Sequence, residues 1–209
     1  MKLTENFNIS ANVVVRAYED GVLAHTRESH NVFVNTGRAW LAKMLGASDY
    51  SVDPPTPHAT EKVAYIGLGC GGALQTDANF ANTQPETVTV TALEDPIPVS
   101  QTGGGVKTWL KKVLDQSYPS NVFFPGDFRT AFIADFVESE VSYALSTSYT
   151  SGILVGTNAP VSEAGLYLST ANPALVTPTD VNRLVAYNTF SAIPVTPNTV
   201  LRVNWELRL

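Results

Sequence analysis

Residues 200–209 have the sequence VLRVNWELRL, in which apolar and polar side chains alternate without a break. A period of two places successive side chains on opposite faces of a β-strand. The apolar set is Leu201, Val203, Trp205, Leu207 and Leu209, and the polar set is Arg202, Asn204, Glu206 and Arg208. A slip of one residue would turn every apolar side chain to water, so the pattern predicts a strand whose register is tightly specified.

Shorter segments with strand character recur along the chain. Residues 7–18 and 22–35 flank the dipeptide Asp20-Gly21, which favours a tight turn, and together they predict a first hairpin. Further strands are predicted at residues 63–68, 87–93, 128–137, 141–145, 153–155, 161–168 and 184–190. Residues 106–114 are compatible with either a strand or a short helix.

One segment has helical spacing instead. Residues 38–45, RAWLAKML, place Trp40, Leu41, Met44 and Leu45 on one side of a helix that Thr36 can cap and Gly46 can end. The sequence therefore predicts a mostly β fold, an antiparallel, jelly-roll-like β-sandwich with one short helix near residues 37–45. Residues 1–209 are expected to form a single β-sandwich domain with long loops.

Charge and composition argue against several partners. The chain carries 13 Lys and Arg against 19 Asp and Glu, a net charge of −6, so counterion release offers little energy for binding nucleic acid. Its apolar runs fall well short of the ~20 residues that span a bilayer, and the first ten residues lack the apolar core of a signal peptide. A single cysteine, Cys70, excludes an intrachain disulfide and fits assembly in a reducing cytoplasm.

Glycines after the strand at residues 63–68 match a nucleotide-binding spacing. Gly67, Gly69 and Gly72 satisfy G-x-G-x-x-G, but a dinucleotide site needs a helix directly behind them, and residues 73–85 are rich in turn formers. We therefore interpret the glycines as a bend where backbones pack closely, and we expect no cofactor.

Histidines and acidic residues form no recognisable catalytic or metal motif. His25 and His30 fall on opposite faces of the first hairpin, and His58 lies in a proline-rich loop. Glu138 and Glu140, on one face of a predicted strand, resemble a glycosidase pair only in spacing, and a solvated strand edge explains them as well. Calcium is bound by carboxylate and carbonyl oxygens, which loops can bring together. The aspartates in predicted loops are Asp49, Asp53, Asp77, Asp95, Asp127 and Asp180, and none of them belongs to a recognised calcium-binding loop. We predict no catalytic and no metal site.

Aromatic residues in polar surroundings are the candidates for a contact surface. Tyr118, Phe123, Phe124 and Tyr149 are predicted either to anchor a protein interface or to plug the core at strand ends, and their positions in the sequence favour neither.

Four segments together resemble tail-fibre and baseplate-attachment domains of tailed bacteriophages. They are VFVNTGRAWLAKML (32–45), VAYIGLGCGG (63–72), VSEAGLYLS (161–169) and RLVAYNTFSAIPVTPNTVLRVNWELRL (183–209). The third contains the E-x-G-L element of that family, Glu163 to Leu166. From these residues we expect Gly165 to mark a close approach of strands and Glu163 to hydrogen-bond a loop backbone.

The resemblance implies a non-enzymatic virion protein that is assembled in the host cytoplasm and contacts other phage structural subunits, as a homo-oligomer in the particle. Tail-fibre proteins continue into a repetitive shaft, whereas this chain ends at Leu209, so we expect a tail, baseplate or neck adaptor that anchors a fibre. Alternatives are a capsid decoration protein and a host-glycan-binding module. The predicted burial of Trp205 counts against the glycan module.

Overall fold

The computed structural model describes residues 10–45, 47–49, 56–57, 62–73, 82–101, 107–113, 122–124, 127–146, 160–169 and 183–208. The strands are β1 (Ser10–Glu19), β2 (Val22–His30), β3 (Val32–Phe33), β4 (Ala47–Asp49), β5 (Thr56–Pro57), β6 (Val63–Gly69), β7 (Pro96–Ile97), β8 (Ser100–Gln101), β9 (Lys107–Thr108), β10 (Leu110–Lys112), β11 (Val122–Phe124), β12 (Asp127–Phe136), β13 (Val161–Leu168), β14 (Leu184–Ile193) and β15 (Thr199–Arg208). The helices are α1 (Asn35–Leu45), α2 (Glu138–Val141) and α3 (Tyr143–Ser146).

Two antiparallel sheets account for most of these strands. The first sheet has the order β11-β12-β15-β1-β2, and the second has the order β10-β6-β13-β14-β3, with β7 also pairing with β6. Strand β15 lies between β1 and β12, so Trp205 is opposite Val13 on one side and Phe132 on the other. Alternate residues of β15 are buried as predicted, with Trp205 fully buried and Arg202 exposed.

The two sheets share one hydrophobic core. Side chains from the first sheet, such as Val13 and Trp205, and from the second, such as Ile66 and Leu166, belong to the same buried cluster. Inward-facing residues from two stacked sheets are the core of a β-sandwich. The predicted antiparallel β-sandwich is therefore confirmed.

The second sheet is covered on its other face as well. Strand β13 is buried at every position, which explains why it lacks the alternation of β15. Helix α1 packs on β14 so closely that a Cβ on Gly37 would collide with the carbonyl oxygen of Val185. A smaller cluster lies beneath this cover and includes Leu93 from the covering segment, residues 82–95.

Two predicted strands are wrong. Residues 87–93 contain a turn and no strand, and they belong to the covering segment, where the carbonyl of Val88 accepts a 2.8 Å hydrogen bond from the Asn35 N–H at the start of α1. Residues 141–145 lie across α2 and α3, because Val141 and Ala144 bury one side at helical spacing. The strand predicted at residues 153–155 lies outside the described residues.

The predicted helix is confirmed, although it begins at Asn35, which places Thr36 inside its first turn instead of at the cap. Gly46, the predicted helix stop, lies outside the described residues. The ambiguous residues 106–114 contain strands β9 and β10. Among the described helices, none has both the length and the apolar character to cross a membrane.

Candidate functional site

The chain leaves β6 through a glycine bend, residues 69–72, that lies against the start of β13. A Cβ on Gly69 would collide with Oε1 of Glu163, and a Cβ on Gly72 would collide with the carbonyl oxygen of Ser162. Glycine is required here because the backbone comes closer to β13 than a side chain permits. The close packing predicted for this glycine spacing is confirmed.

Glu163 is the most heavily hydrogen-bonded buried side chain of this region. Its Oε1 accepts from the backbone N–H of Gly71 at 3.1 Å and of Asp95 at 2.9 Å. Its Oε2 accepts from the N–H of Glu94 at 3.0 Å and from the Tyr187 hydroxyl at 2.8 Å. The predicted bonding of Glu163 to loop backbone is thus confirmed, with donors from the glycine bend, the covering segment and β14.

Burial controls the electrostatics around this carboxyl group. Burial raises the pKa of Glu163, and the hydrogen bonds from Glu94, Asp95, Tyr187 and Gly71 oppose that rise. Burial also raises the pKa of Tyr187, and the nearby Glu163 carboxyl adds to the effect. The Tyr187 hydroxyl therefore stays protonated and available as a donor.

Cys70 lies in the same bend and is buried. Burial, with added contributions from Asp95 and Glu163, raises the pKa of its thiol to about 12. Its sulfur lies 3.5 Å from the Asp95 carbonyl oxygen, as a weak donor. Since the thiolate is the reactive form, we expect this cysteine to react slowly in the folded protein.

A second carboxyl group, Glu86, ties the covering segment to β14. Its Oε1 accepts from the Asn188 side-chain amide at 3.1 Å, and from both the backbone N–H and the hydroxyl of Thr189. Burial raises the pKa of Glu86, and these bonds oppose the rise. No local sequence pattern indicates this residue, because its partners lie about a hundred positions away along the chain.

Polar contacts also close the sandwich where β2 meets β14. The Arg27 Nε donates to the Ser191 carbonyl at 2.9 Å, and the Ser29 hydroxyl donates to Asn188 Oδ1 at 2.9 Å. Asn188 also donates to the His30 carbonyl at 3.2 Å. The buried and half-buried polar side chains of this region therefore join segments of backbone to one another.

Of the four predicted interface residues, two have a described backbone and two lie outside the described residues. Phe123 and Phe124 belong to β11 at the edge of the first sheet, where only their backbone is described. Tyr118 and Tyr149 lie outside the described residues. The interface assignment of these four aromatic residues stays a prediction.

The acidic pair at the end of β12 does not share a strand face, which corrects that prediction. Glu138 and Glu140 lie in α2, where the Glu140 carboxyl accepts a 2.9 Å bond from the Val137 N–H and pairs with Lys111. The hydrogen bond between the Val137 N–H and the Glu140 carboxyl stabilises the first turn of α2, so the chain becomes helical here and does not continue as a strand.

The other candidate metal or catalytic residues are scattered. His25 is half-buried and His30 exposed on β2, while His58, Asp53, Asp77 and Asp180 lie outside the described residues. The side chains of Asp49 and Asp127 are likewise not described, which leaves Asp95, half-buried beside the glycine bend. Within the described ranges, no three His, Cys, Asp or Glu residues gather into a group that could hold a metal ion.

Apolar side chains are exposed at one end of the first sheet, beside the β1–β2 turn. Tyr18 lies opposite Val200 on one side and opposite Leu23 on the other, and Val137 directly follows β12 at the same level. We refer to Tyr18, Leu23, Val137 and Val200 as the terminal row. Leu23 is 51% exposed and Val137 is 46% exposed.

The exposure is concentrated at this end. Val22, next to the terminal row at the hairpin tip, is 70% exposed. The described residues contain one other exposed large hydrophobic side chain, Met44 on α1, which is 37% exposed. The terminal row and Val22 are therefore the main exposed apolar surface of the described part and its candidate contact site.

A scan against protein-family models and searches of curated proteins and of solved structures find no match to this chain.

Proposed function

We propose that this chain is a non-enzymatic structural subunit of a tailed-bacteriophage particle. In this role it is a tail, baseplate or neck adaptor that docks on other particle subunits, with fibre attachment as one such contact. The observation that carries the proposal is the terminal row, because exposed apolar side chains grouped on a sheet are typical of a surface that another protein covers.

The residues of the E-x-G-L element support a structural role. Glu163 holds two loops and β14 together through its four donors, Gly165 makes room for the Tyr167 and Leu184 side chains, and Leu166 is buried in the main core. These groups stabilise a rigid scaffold. A rigid sandwich that presents loops and a strand edge suits a subunit whose work is to hold neighbours in place.

The experiment is quantitative mass spectrometry of purified particles of the phage that encodes the chain, with the major capsid protein as the internal standard. We expect the chain in the particle at tens of copies or fewer, and in the tail fraction after heads and tails are separated. Its absence from purified particles would overturn the proposal. A copy number on the order of hundreds would favour a capsid decoration protein, which covers a repeated lattice.

A further inference from the structure

We propose that the terminal row is a contact between two copies of this chain, related by a two-fold axis that runs along the row. This dimer would give the proposed structural role a specific partner, a second copy of the chain. Only the place where the dimer acts, the phage particle, rests on the proposed function. Association of the pure protein tests it without the particle, so the two proposals can fail separately.

The apolar part of the contact is continuous across four strands. Tyr18 and its register partners Val200 and Leu23 occupy β1, β15 and β2, and Val137 extends the line at the end of β12. These side chains share the outer face, since the intervening residues Ala17 and Leu201 are buried in the core. A second apolar row laid along this one would remove all of them from water.

Positive charge borders the row on the side toward the middle of the sheet. Arg16 and Arg202 are directly opposite each other in the β1–β15 register, one step from Tyr18 and Val200. Asp135 binds Arg202 through two hydrogen bonds of 2.6 Å, which neutralises one of the two cations. The border therefore keeps the positive charge of Arg16.

Negative charge borders the row on its other side. Asp20 lies in the β1–β2 turn beyond Tyr18, and Glu138 opens α2 beyond Val137. Both residues are exposed. The Asp20 carboxylate accepts a 2.8 Å bond from Asn198, which fixes its position at the end of the sheet.

This arrangement of charges selects the symmetry of the contact. Rotation about an axis along the row places apolar row on apolar row and reverses the strand direction, so Arg16 of one copy faces Asp20 of the second copy. By the same rotation, Glu138, which follows β12, comes opposite Asp135 of that strand, whose charge Arg202 already balances. Rotation about an axis parallel to the strands would instead set cations against cations and acids against acids. At β1 the face is thus complementary to itself in one orientation, as an isologous dimer requires.

The contact is small, so the association is expected to be weak. Standard interfaces bury about 800 Å² on each partner, and a single apolar row with the Arg16–Asp20 pair and its symmetry-related copy lies at the low end of specific contacts. We expect a monomer–dimer equilibrium that depends on protein concentration, with a dissociation constant in roughly the micromolar range or weaker.

Sedimentation velocity of the full chain over a wide concentration range is the experiment. We expect the weight-average sedimentation coefficient to rise from monomer toward dimer. Leu23→Lys should weaken the association by about tenfold or more, because a charge would enter the apolar row. Met44→Lys, which adds the same charge to an exposed hydrophobic position on α1, should leave the equilibrium unchanged.

Two further variants and their combination test the predicted charge pair between Arg16 and Asp20. Arg16→Gln and Asp20→Asn should each weaken the dimer, and the double variant should be little weaker than either one, because both remove the same pair. Asparagine suits position 20, where φ is +49° and the side chain accepts from Asn198. Far-ultraviolet circular dichroism establishes that each variant is folded.

Several results would overturn the inference. These are a single monomeric species at all concentrations, equal effects of Leu23→Lys and Met44→Lys, or strictly additive effects of the two charge variants. A wild-type monomer that binds another particle subunit through Leu23 would overturn the second-copy contact and leave the proposed structural function standing.

Discussion

The Tyr187 hydroxyl on β14 donates a 2.8 Å hydrogen bond to Oε2 of Glu163 on the neighbouring strand β13, inside the protein. Glu163 is fully buried, and its other donors are backbone N–H groups of two loops. A buried carboxyl group is tolerated only when its oxygens are bonded, so each of these donors contributes to keeping the loops in place.

Removing the Tyr187 hydroxyl should lower the stability of the protein without changing its fold. We expect Tyr187→Phe to reduce the free energy of unfolding by about 1.5–3 kcal/mol, as for a hydrogen bond to a charged group. Denaturant unfolding followed by tryptophan fluorescence measures the change. Tyr65→Phe, a buried tyrosine of the same cluster for which the described residues show no hydroxyl hydrogen bond, is the matched control and should cost clearly less. Equal losses would contradict the role of the bond.

Changing the acceptor should cost more than changing one donor. In Glu163→Gln an amide NH₂ replaces an oxygen that accepts two hydrogen bonds, so at least one buried N–H loses its acceptor. We expect a loss of about 3 kcal/mol or more. Glu28→Gln, on the exposed face of β2, should change stability little, because Gln retains an oxygen for the Asn12 amide. A loss in Glu163→Gln no larger than in Tyr187→Phe would argue against the four-donor arrangement.

Adding a side chain to the glycine bend should also lower the stability of the region around Glu163. A Cβ in Gly72→Ala would meet the Ser162 carbonyl oxygen and the Glu163 side chain, so we expect a loss of about 1–3 kcal/mol. Cys70 reports on the bend, since its thiol is buried and its pKa is raised to about 12. Alkylation at pH 8 should be very slow in the wild type, faster in Gly72→Ala and fast for both in denaturant. Rapid alkylation of the native wild type would contradict the burial.

Stability should fall as the pH rises above the ordinary carboxyl range. Burial raises the pKa of Glu86 and Glu163, so the folded protein holds their protons more tightly than the unfolded chain does, whose glutamates have a pKa of about 4.3. This contribution is complete below the unfolded pKa and is lost as the pH rises through the folded pKa. Unfolding midpoints measured across that window should decline.

Glu86→Gln isolates the contribution of one of these groups. The glutamine keeps the oxygen that accepts from Asn188 and Thr189, but it does not titrate. We expect its stability to decline less steeply with pH than that of the wild type, while groups elsewhere contribute equally to both. Parallel pH profiles would show that Glu86 titrates alike in the folded and unfolded states.

Patterns of short range predicted much of the fold. The alternation of residues 200–209 and the Asp20-Gly21 turn act through neighbours in sequence, and both are found in the structure. The same logic failed for residues 87–93, where alternating Val and Thr line a covering segment whose backbone bonds to α1 instead of to another strand. Strand patterns indicate where a side chain can be buried, but they do not specify what covers it.

The local chemistry of the chain was enough to establish a β-sandwich with one main helix, and the E-x-G-L element was enough to single out Glu163 as a residue that bonds to a loop. The donors to Glu163 were decided by the tertiary structure, since Gly71 and Glu94 stand 92 and 69 positions away along the chain. The terminal row was decided in the same way, because strand pairing brings Tyr18 beside Val200. Periodicity is a property of neighbouring residues, whereas a buried network or a surface row exists only once distant strands lie side by side.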